Sequence, residues 1–196
     1  CNSCEPYTIL GGISSASSTN SKSTVPSDSN IKSGSSPISG MRSSENIGMA
    51  VFRHDTLVGE LDAIETVCFH ILKNNLNGFI ISVPEPEDNN SKIDLITPKD
   101  NTKIKVNLIN GSPYIKIDTS FYAKMYSMDE NTSYLNPNAI ESISNICNKY
   151  LEDVLLSYLY KTSVEFKSDI NGIGKYALSE FFTNNEFTNY NWVNNY

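Results

Sequence analysis

From Lys103 to Asp118 the chain alternates apolar and polar residues around a central Asn110-Gly111. Ile104, Val106 and Leu108 stand against Lys103, Lys105 and Asn107, and Ile115 and Ile117 stand against Lys116 and Asp118. A period of two places successive side chains on opposite faces of an extended strand, and no helix can sort that pattern. The NGSP stretch between the two runs supplies hairpin turn chemistry. The segment therefore predicts an antiparallel pair with one buried and one wet face. GFIISVPEP and KIDLITPKD extend the reading to a meander, with PEPEDNN, PKDN and NGSP as its turns.

Helical signals flank this sheet. NIGMAVFRHDTLVGEL reads as strand, turn and strand, with His54-Asp55 in the turn. Asp62 with Glu65 three residues on forms a capping box for a helix over about 62–74, whose inner face carries Ile64, Val67, Cys68 and Ile71. Asn136-Pro137 opens a long helix over about 137–167. Ile140, Ile143, Cys147, Tyr150, Leu151, Val154 and Tyr158 keep a period near 3.6 along it. FKSDINGIGKY stops that helix, and GKYALSEFF starts another. The order β–α–β–β–β–α–α gives an α+β fold, an antiparallel or mixed sheet with a long helix and shorter helices packed on it.

Residues 11–45 are dominated by Ser, Thr, Gly and Asn. Such a segment lacks the apolar area to offset its ordering entropy and reads as a linker or loop. The domain division is accordingly 1–45, a Ser-rich linker or the tail of a preceding domain in which YTILGG is a strand, and 46–196, the folded domain.

Charge and composition narrow the function. The 196 residues carry a formal net charge of −7, against nucleic acid as a partner and against a polybasic hold on anionic lipid. No apolar run reaches the ~18–20 residues of a membrane span. Cys1 and Cys4 have CxxC spacing, but no second pair or paired His completes a zinc or redox site. Cys68 and Cys147 fall on apolar helix faces, where buried thiols are expected. With two His, a metal site is poorly supplied. Asn89, Asn110 and Asn131 each begin Asn-x-Ser/Thr.

The loop Asp169–Gly174 is the main candidate for chemistry. As a calcium loop it offers Asp169 and Asn171, with Glu180 at the twelfth position, but Ile173 stands where an oxygen ligand belongs. As a phosphate cradle, Gly172-x-Gly174 precedes a helix but follows another helix and lacks the third glycine. As a corner between helices, Asp169 caps and the glycines permit positive φ and close approach. In that last role, Asp169→Ala would cost one cap, about 0.5–2 kcal/mol. His54 and His70 read as turn and helix-face residues, and no nucleophile stands in a strand–turn–helix elbow. The acidic cluster Asp55, Glu60, Asp62 and Glu65 answers a helix dipole.

Two stretches also resemble a known family. GMAVFRHDTLVGELDAIET, residues 48–66, resembles the strand–turn–helix signature of the Ger(x)C spore germination proteins, through Phe52, Gly59 and Glu65 among others. VEFKSDINGIGKY, residues 164–176, is similar to that family's Lys-x-Asp-x-x-Gly-x-Gly motif, through Lys167, Asp169, Gly172 and Gly174. The sheet and long helix come between them in the family's order, and the surroundings of Trp192 resemble its tail.

The resemblance implies the C-terminal domain of the C subunit of a nutrient germinant receptor. It further implies a lipid anchor on the parent chain and a place on the outer face of the spore inner membrane. The partners it implies are an integral-membrane A subunit and a permease-like B subunit, met through protein–protein contacts. It implies no catalytic residue, cofactor or metal. The alternative is a soluble domain that binds a small ligand or a metal, with a hydrolytic role within reach, through Asp169–Gly174. A docking face on the wet side of the sheet, or near Glu60 and Asp62, suits the receptor reading.

Overall fold

The computed structural model describes residues 7–13, 44–76, 78–84, 92–127 and 137–196. Cys1, Cys4, Asn89, Asn131, Asn136 and most of the Ser-rich stretch lie outside the described residues. The fold is α+β, as the alternation and helical periods require.

Two three-stranded antiparallel sheets replace the single meander. The first joins β1 (Tyr7–Ile13), β2 (Ser44–Arg53) and β3 (Thr56–Leu61), in that order. β1 pairs with β2 from Tyr7↔Val51 to Ile13↔Ser44, with a register shift between Ile9 and Gly11. β2 turns into β3 at His54-Asp55, where His54 takes φ of 58°. The second sheet joins β4 (Phe79–Pro84), β5 (Lys92–Ile109) and β6 (Ser112–Ser127). Its β5–β6 turn has positive φ at both Asn110 (52°) and Gly111 (81°), the conformation that favours Asn-Gly in tight hairpins.

The PKDN turn is not formed. Residues 98–101 stay extended inside the 18-residue β5. One polar group of that stretch, Asp100, is used otherwise, and a neighbouring bond holds Thr102 just beyond it. Asp100 Oδ1 accepts the Leu76 N–H at 3.1 Å, and Asn74 Oδ1 accepts the Thr102 N–H at 3.0 Å. These bonds tie the chain that leaves α1 (Ala63–Leu72) to β5, once through the Asp100 side chain and once through the Thr102 backbone. The last β4 pair is Phe79↔Thr97, so Pro98 lies one residue past that ladder, where its missing N–H breaks no β4 bond.

The helices start near their predicted positions and end earlier. Asp62 N–H donates to Glu65 Oε2 at 2.8 Å and Glu65 N–H to Asp62 Oδ1 at 2.9 Å, which is the reciprocal capping box. α1 buries Val67, Cys68, Phe69, Ile71 and Leu72; Ile64 is only half-buried. α2 (Pro137–Tyr160) ends seven residues before the predicted stop, and a π-turn, Lys161–Glu165, follows. Its buried stripe is Ile143, Cys147, Leu151, Leu155 and Tyr158 and packs on β4. Ile140 is exposed, and Tyr150 and Val154 are half-buried, so the apolar stripe is narrower than its sequence period suggested. The predicted GKYALSEFF helix is α3 (Gly174–Ala177) closed by a 3-10 turn, Leu178–Glu180. α4 (Asn184–Tyr190) and α5 (Trp192–Asn195) end the chain, with Asn191 in the left-handed conformation between them.

The contacts separate two compact units. One holds β1–β3, the start of α1, Val106–Tyr114 and the chain from Lys161 onward. The other holds Val67–Lys105 and Ile115–Tyr160.

Candidate functional site

Both sequence signatures fall in the first unit, and they are packed against each other. Ser168 Oγ donates to the Phe52 carbonyl at 3.1 Å, which fixes the second signature to the β2 backbone. Gly59 of β3 lies against the Phe166 ring, and a Cβ at 59 would overlap the ring atoms Cε1 and Cζ. This position needs glycine for space, since its φ is not in the left-handed region. Glu65 receives Lys161 Nζ on both carboxylate oxygens, each at 2.7 Å, while its Oε2 also closes the capping box. The Lys161 ammonium sits 5.4 Å from the Phe166 ring centroid. Phe52, Gly59 and Glu65 thus each touch the segment 161–168.

Asp169 is the centre of the second signature. It is fully buried, at 0% exposure. Oδ1 accepts the Ile173 N–H at 2.7 Å, and Oδ2 accepts the Gly174 N–H at 2.7 Å and the Trp192 indole N–H at 2.9 Å. One carboxylate therefore holds the first turn of α3 and the first residue of α5. Burial raises its pKa above the ordinary value, and the N–H groups of Gly174, Ile173, Trp192 and Gly172 work against that rise.

The two glycines have different tasks. Gly172 takes φ of 68°, which a side chain would strain. Gly174 is buried in the opening turn of α3 and presents its N–H to Asp169. Lys167 is exposed and takes φ of 50°, a left-handed conformation in a residue that rarely adopts it. Its side chain faces solvent beside a loop in which Ser168, Asp169, Ile170, Asn171, Gly172, Ile173 and Gly174 are all buried. The π-turn and this left-handed residue together re-aim the chain from α2 into the Asp169 turn.

The C-terminal segment closes over this centre. Trp192 is 3% exposed and its ring stacks on Tyr196 at 5.6 Å and 27°. Burial pushes the Tyr196 phenol well up, the Asp169 charge adds to the rise, and a hydrogen bond with Thr162 opposes it. Tyr190 contacts both Trp192 and Phe181, and Phe181 meets Phe187 edge-on.

The other candidates are placed as follows. Glu180 is exposed and its Oε2 lies 3.4 Å from the Leu108 N–H. His54 is an exposed turn residue. His70 is half-buried between the Phe69 and Phe79 rings, and burial lowers its pKa. Cys68 and Cys147 are buried thiols, and burial pushes Cys147 up. Among the described residues no three His, Cys, Asp or Glu side chains cluster as metal ligands. Among the same residues no helix is long and apolar enough to cross a membrane.

Sequence reasoning missed Lys161 and Ser168, and it did not join Phe166, read as a core or interface aromatic, or Trp192 to this centre. Trp192, the single tryptophan, carried a signal in its rarity. The other three carried none, because each acts through a partner about a hundred residues away or through a π-turn that periodicity does not announce.

Comparison with known proteins places this geometry. A family model described as "Spore germination B3/GerAC like, C-terminal" matches residues 47–196. A search of curated proteins found no match. Among solved structures, a crystal structure of the GerBC protein superposes with a TM-score of 0.62 at 22% identity. That alignment covers 77% of this chain and 45% of the GerBC chain, and at this identity it bears on the fold alone.

Proposed function

The chain belongs to the spore germination B3/GerAC-like family, over that family's C-terminal domain, and from this we propose that it serves as a non-catalytic subunit domain of a spore nutrient germinant receptor. The match across residues 47–196 carries the proposal. The geometry supports it in a second way. Gly59, Glu65, Asp169, Gly172 and Gly174 are engaged within the first unit, which supports reading these motif residues as structural, while Lys167 stays exposed. Both Asp169 oxygens already hold N–H groups of the chain itself, which favours a packed corner over a loop that grips an ion or phosphate.

In this reading the domain is 46–196, and β1 is a strand contributed from the segment ahead of it. It works beside an integral-membrane A subunit and a permease-like B subunit, on the outer face of the spore inner membrane. A lipid anchor on the parent chain holds it there. Its task is to dock those subunits, without turnover, metal or cofactor.

Cross-linking in spore membranes tests the reading. Recovery of the integral-membrane and permease-like subunits with this protein is expected, and recovery of neither would sink it. A melting scan with calcium, inorganic phosphate and nucleotide adds a second arm. The midpoint is expected to stay put, whereas a saturable rise with one of them would move the weight to a ligand-binding domain.

A further inference from the structure

The β5–β6 hairpin has an outward face whose chemistry departs from the rest of the chain. The Thr102 and Thr119 hydroxyls meet at 2.8 Å across the two strands, which sets those residues opposite each other on one face. Alternation then puts Lys103, Lys105, Lys116, Tyr122, Lys124 and Tyr126 together on the other face. All six are exposed, with Tyr122 at 64% and Tyr126 at 65%. Asp118 is the acidic residue among them, paired with Lys116 at 3.2 Å on open surface, where such a pair neutralises little. These residues all lie in the second unit.

From this we infer that the outward face of the β5–β6 hairpin docks on an anionic phospholipid bilayer. Four lysines against two carboxylates, Asp118 among them and Asp94 at the Ser127 end of the hairpin, leave a basic patch on a chain whose net charge is −7. At physiological salt, charges more than about 8 Å away are screened, so an approaching surface meets the patch rather than the average. Protein interfaces are depleted in Lys and enriched in Arg, and this face carries four Lys and no Arg. A hydrated ammonium on a flexible stem suits a diffuse, fluid array of phosphates. Tyrosine rings between the lysines match the interfacial zone, where an apolar ring body and a polar hydroxyl are both satisfied. The inference goes beyond the receptor reading and stands without it.

Co-sedimentation of the full chain with vesicles tests it. Vesicles of phosphatidylcholine with phosphatidylglycerol should bind the protein at low salt, and vesicles of phosphatidylcholine alone should not. Binding should fall as salt rises from about 0.01 M to about 1 M. Each of Lys103→Gln, Lys105→Gln, Lys116→Gln and Lys124→Gln should weaken binding about fivefold. Asp118→Asn should strengthen it, a gain that loss of fold would not give as long as neutral vesicles stay unbound. Lys149→Gln, exposed on α2, should change nothing. Absence of binding to anionic vesicles at low salt would overturn the inference. So would binding indifferent to the hairpin lysines, or binding to an oligonucleotide or an acidic peptide without binding to vesicles.

Discussion

Asp169 and Asp100 are two buried carboxylates that meet their surroundings differently. Asp169 is 0% exposed, and its two oxygens accept three N–H groups between them. Asp100 is 6% exposed, and its Oδ1 accepts one N–H, from Leu76 at 3.1 Å. Its Oδ2 makes no hydrogen bond among the described residues, and neither does His70 Nδ1 in the same unit. A buried polar group with every site engaged rigidifies what it touches, while one half-engaged leaves its charge to act on its neighbours. The first kind specifies a unique geometry. The second kind lets its charge shift the titration of a neighbour.

Substitution by Asn separates the two cases. At 169, either orientation of an amide points its NH₂ at an N–H donor, since both oxygens of the acid are in use. Asp169→Asn should cost about 2–4 kcal/mol, and Asp169→Ala, which leaves three donors without an acceptor, about 3–5 kcal/mol. The capping value expected from sequence alone was lower, because a lone cap is a surface feature and this carboxylate is not at the surface. Urea unfolding measures the loss. Emission from Trp192, the single tryptophan, reads the same centre directly and should shift red in both variants. A loss under about 1 kcal/mol would mean that Asp169 holds nothing essential.

The alternation at 103–118 disclosed a real hairpin, and the Asp62–Glu65 box disclosed a real helix start, because both are local patterns whose cause is local. PKDN misled for a physical reason. Pro, Asp and Asn signal a turn only if nothing distant claims their polar groups, and here the Leu76 N–H claims Asp100. The split into two sheets was hidden for the same reason, since strand pairing is a long-range property. Of the candidate centre, Asp169, Gly172 and Gly174 were visible as an unusual loop. The partners that give Asp169 its burial were not, because Trp192 lies 23 residues on in the sequence. The basic face of the second sheet was hidden behind the net charge, which averages over both faces of every strand.

Gly59 sharpens the first half of the comparison, because it tests whether the Asp169 side of the molecule is rigid throughout. Gly59→Ala brings a methyl group into the Phe166 ring, which is 8% exposed and also lies under Lys161. The expected cost is about 1–3 kcal/mol, the range for overpacking a close-packed site. Phe166→Leu should recover part of it, so the double variant should be more stable than the sum of the single losses allows. Full additivity would show that the ring moves aside freely and that space is not what requires glycine there.

Asp100→Asn should have the smallest effect on stability, and its main effect should lie elsewhere. The amide keeps an oxygen for the Leu76 N–H and turns its NH₂ toward the position where Oδ2 has no donor facing it, so the loss should stay below about 1 kcal/mol. The consequence falls on His70. Burial lowers the His70 pKa from 6.5, and the Asp100 charge works to raise it. The folded protein therefore holds His70 neutral where the unfolded chain takes up a proton. Below 6.5 the unfolded state binds more protons, so the His70 contribution is full above that pH and is lost as pH falls through the window down to the folded value. Removing the Asp100 charge moves the folded value further down and widens the window. A titration of the His70 ring by NMR should thus give a lower pKa in Asp100→Asn than in the parent, with urea midpoints that fall more steeply on acidification. An unchanged His70 titration would show that the half-engaged carboxylate does not reach its neighbour, and the contrast with Asp169 would reduce to a count of hydrogen bonds.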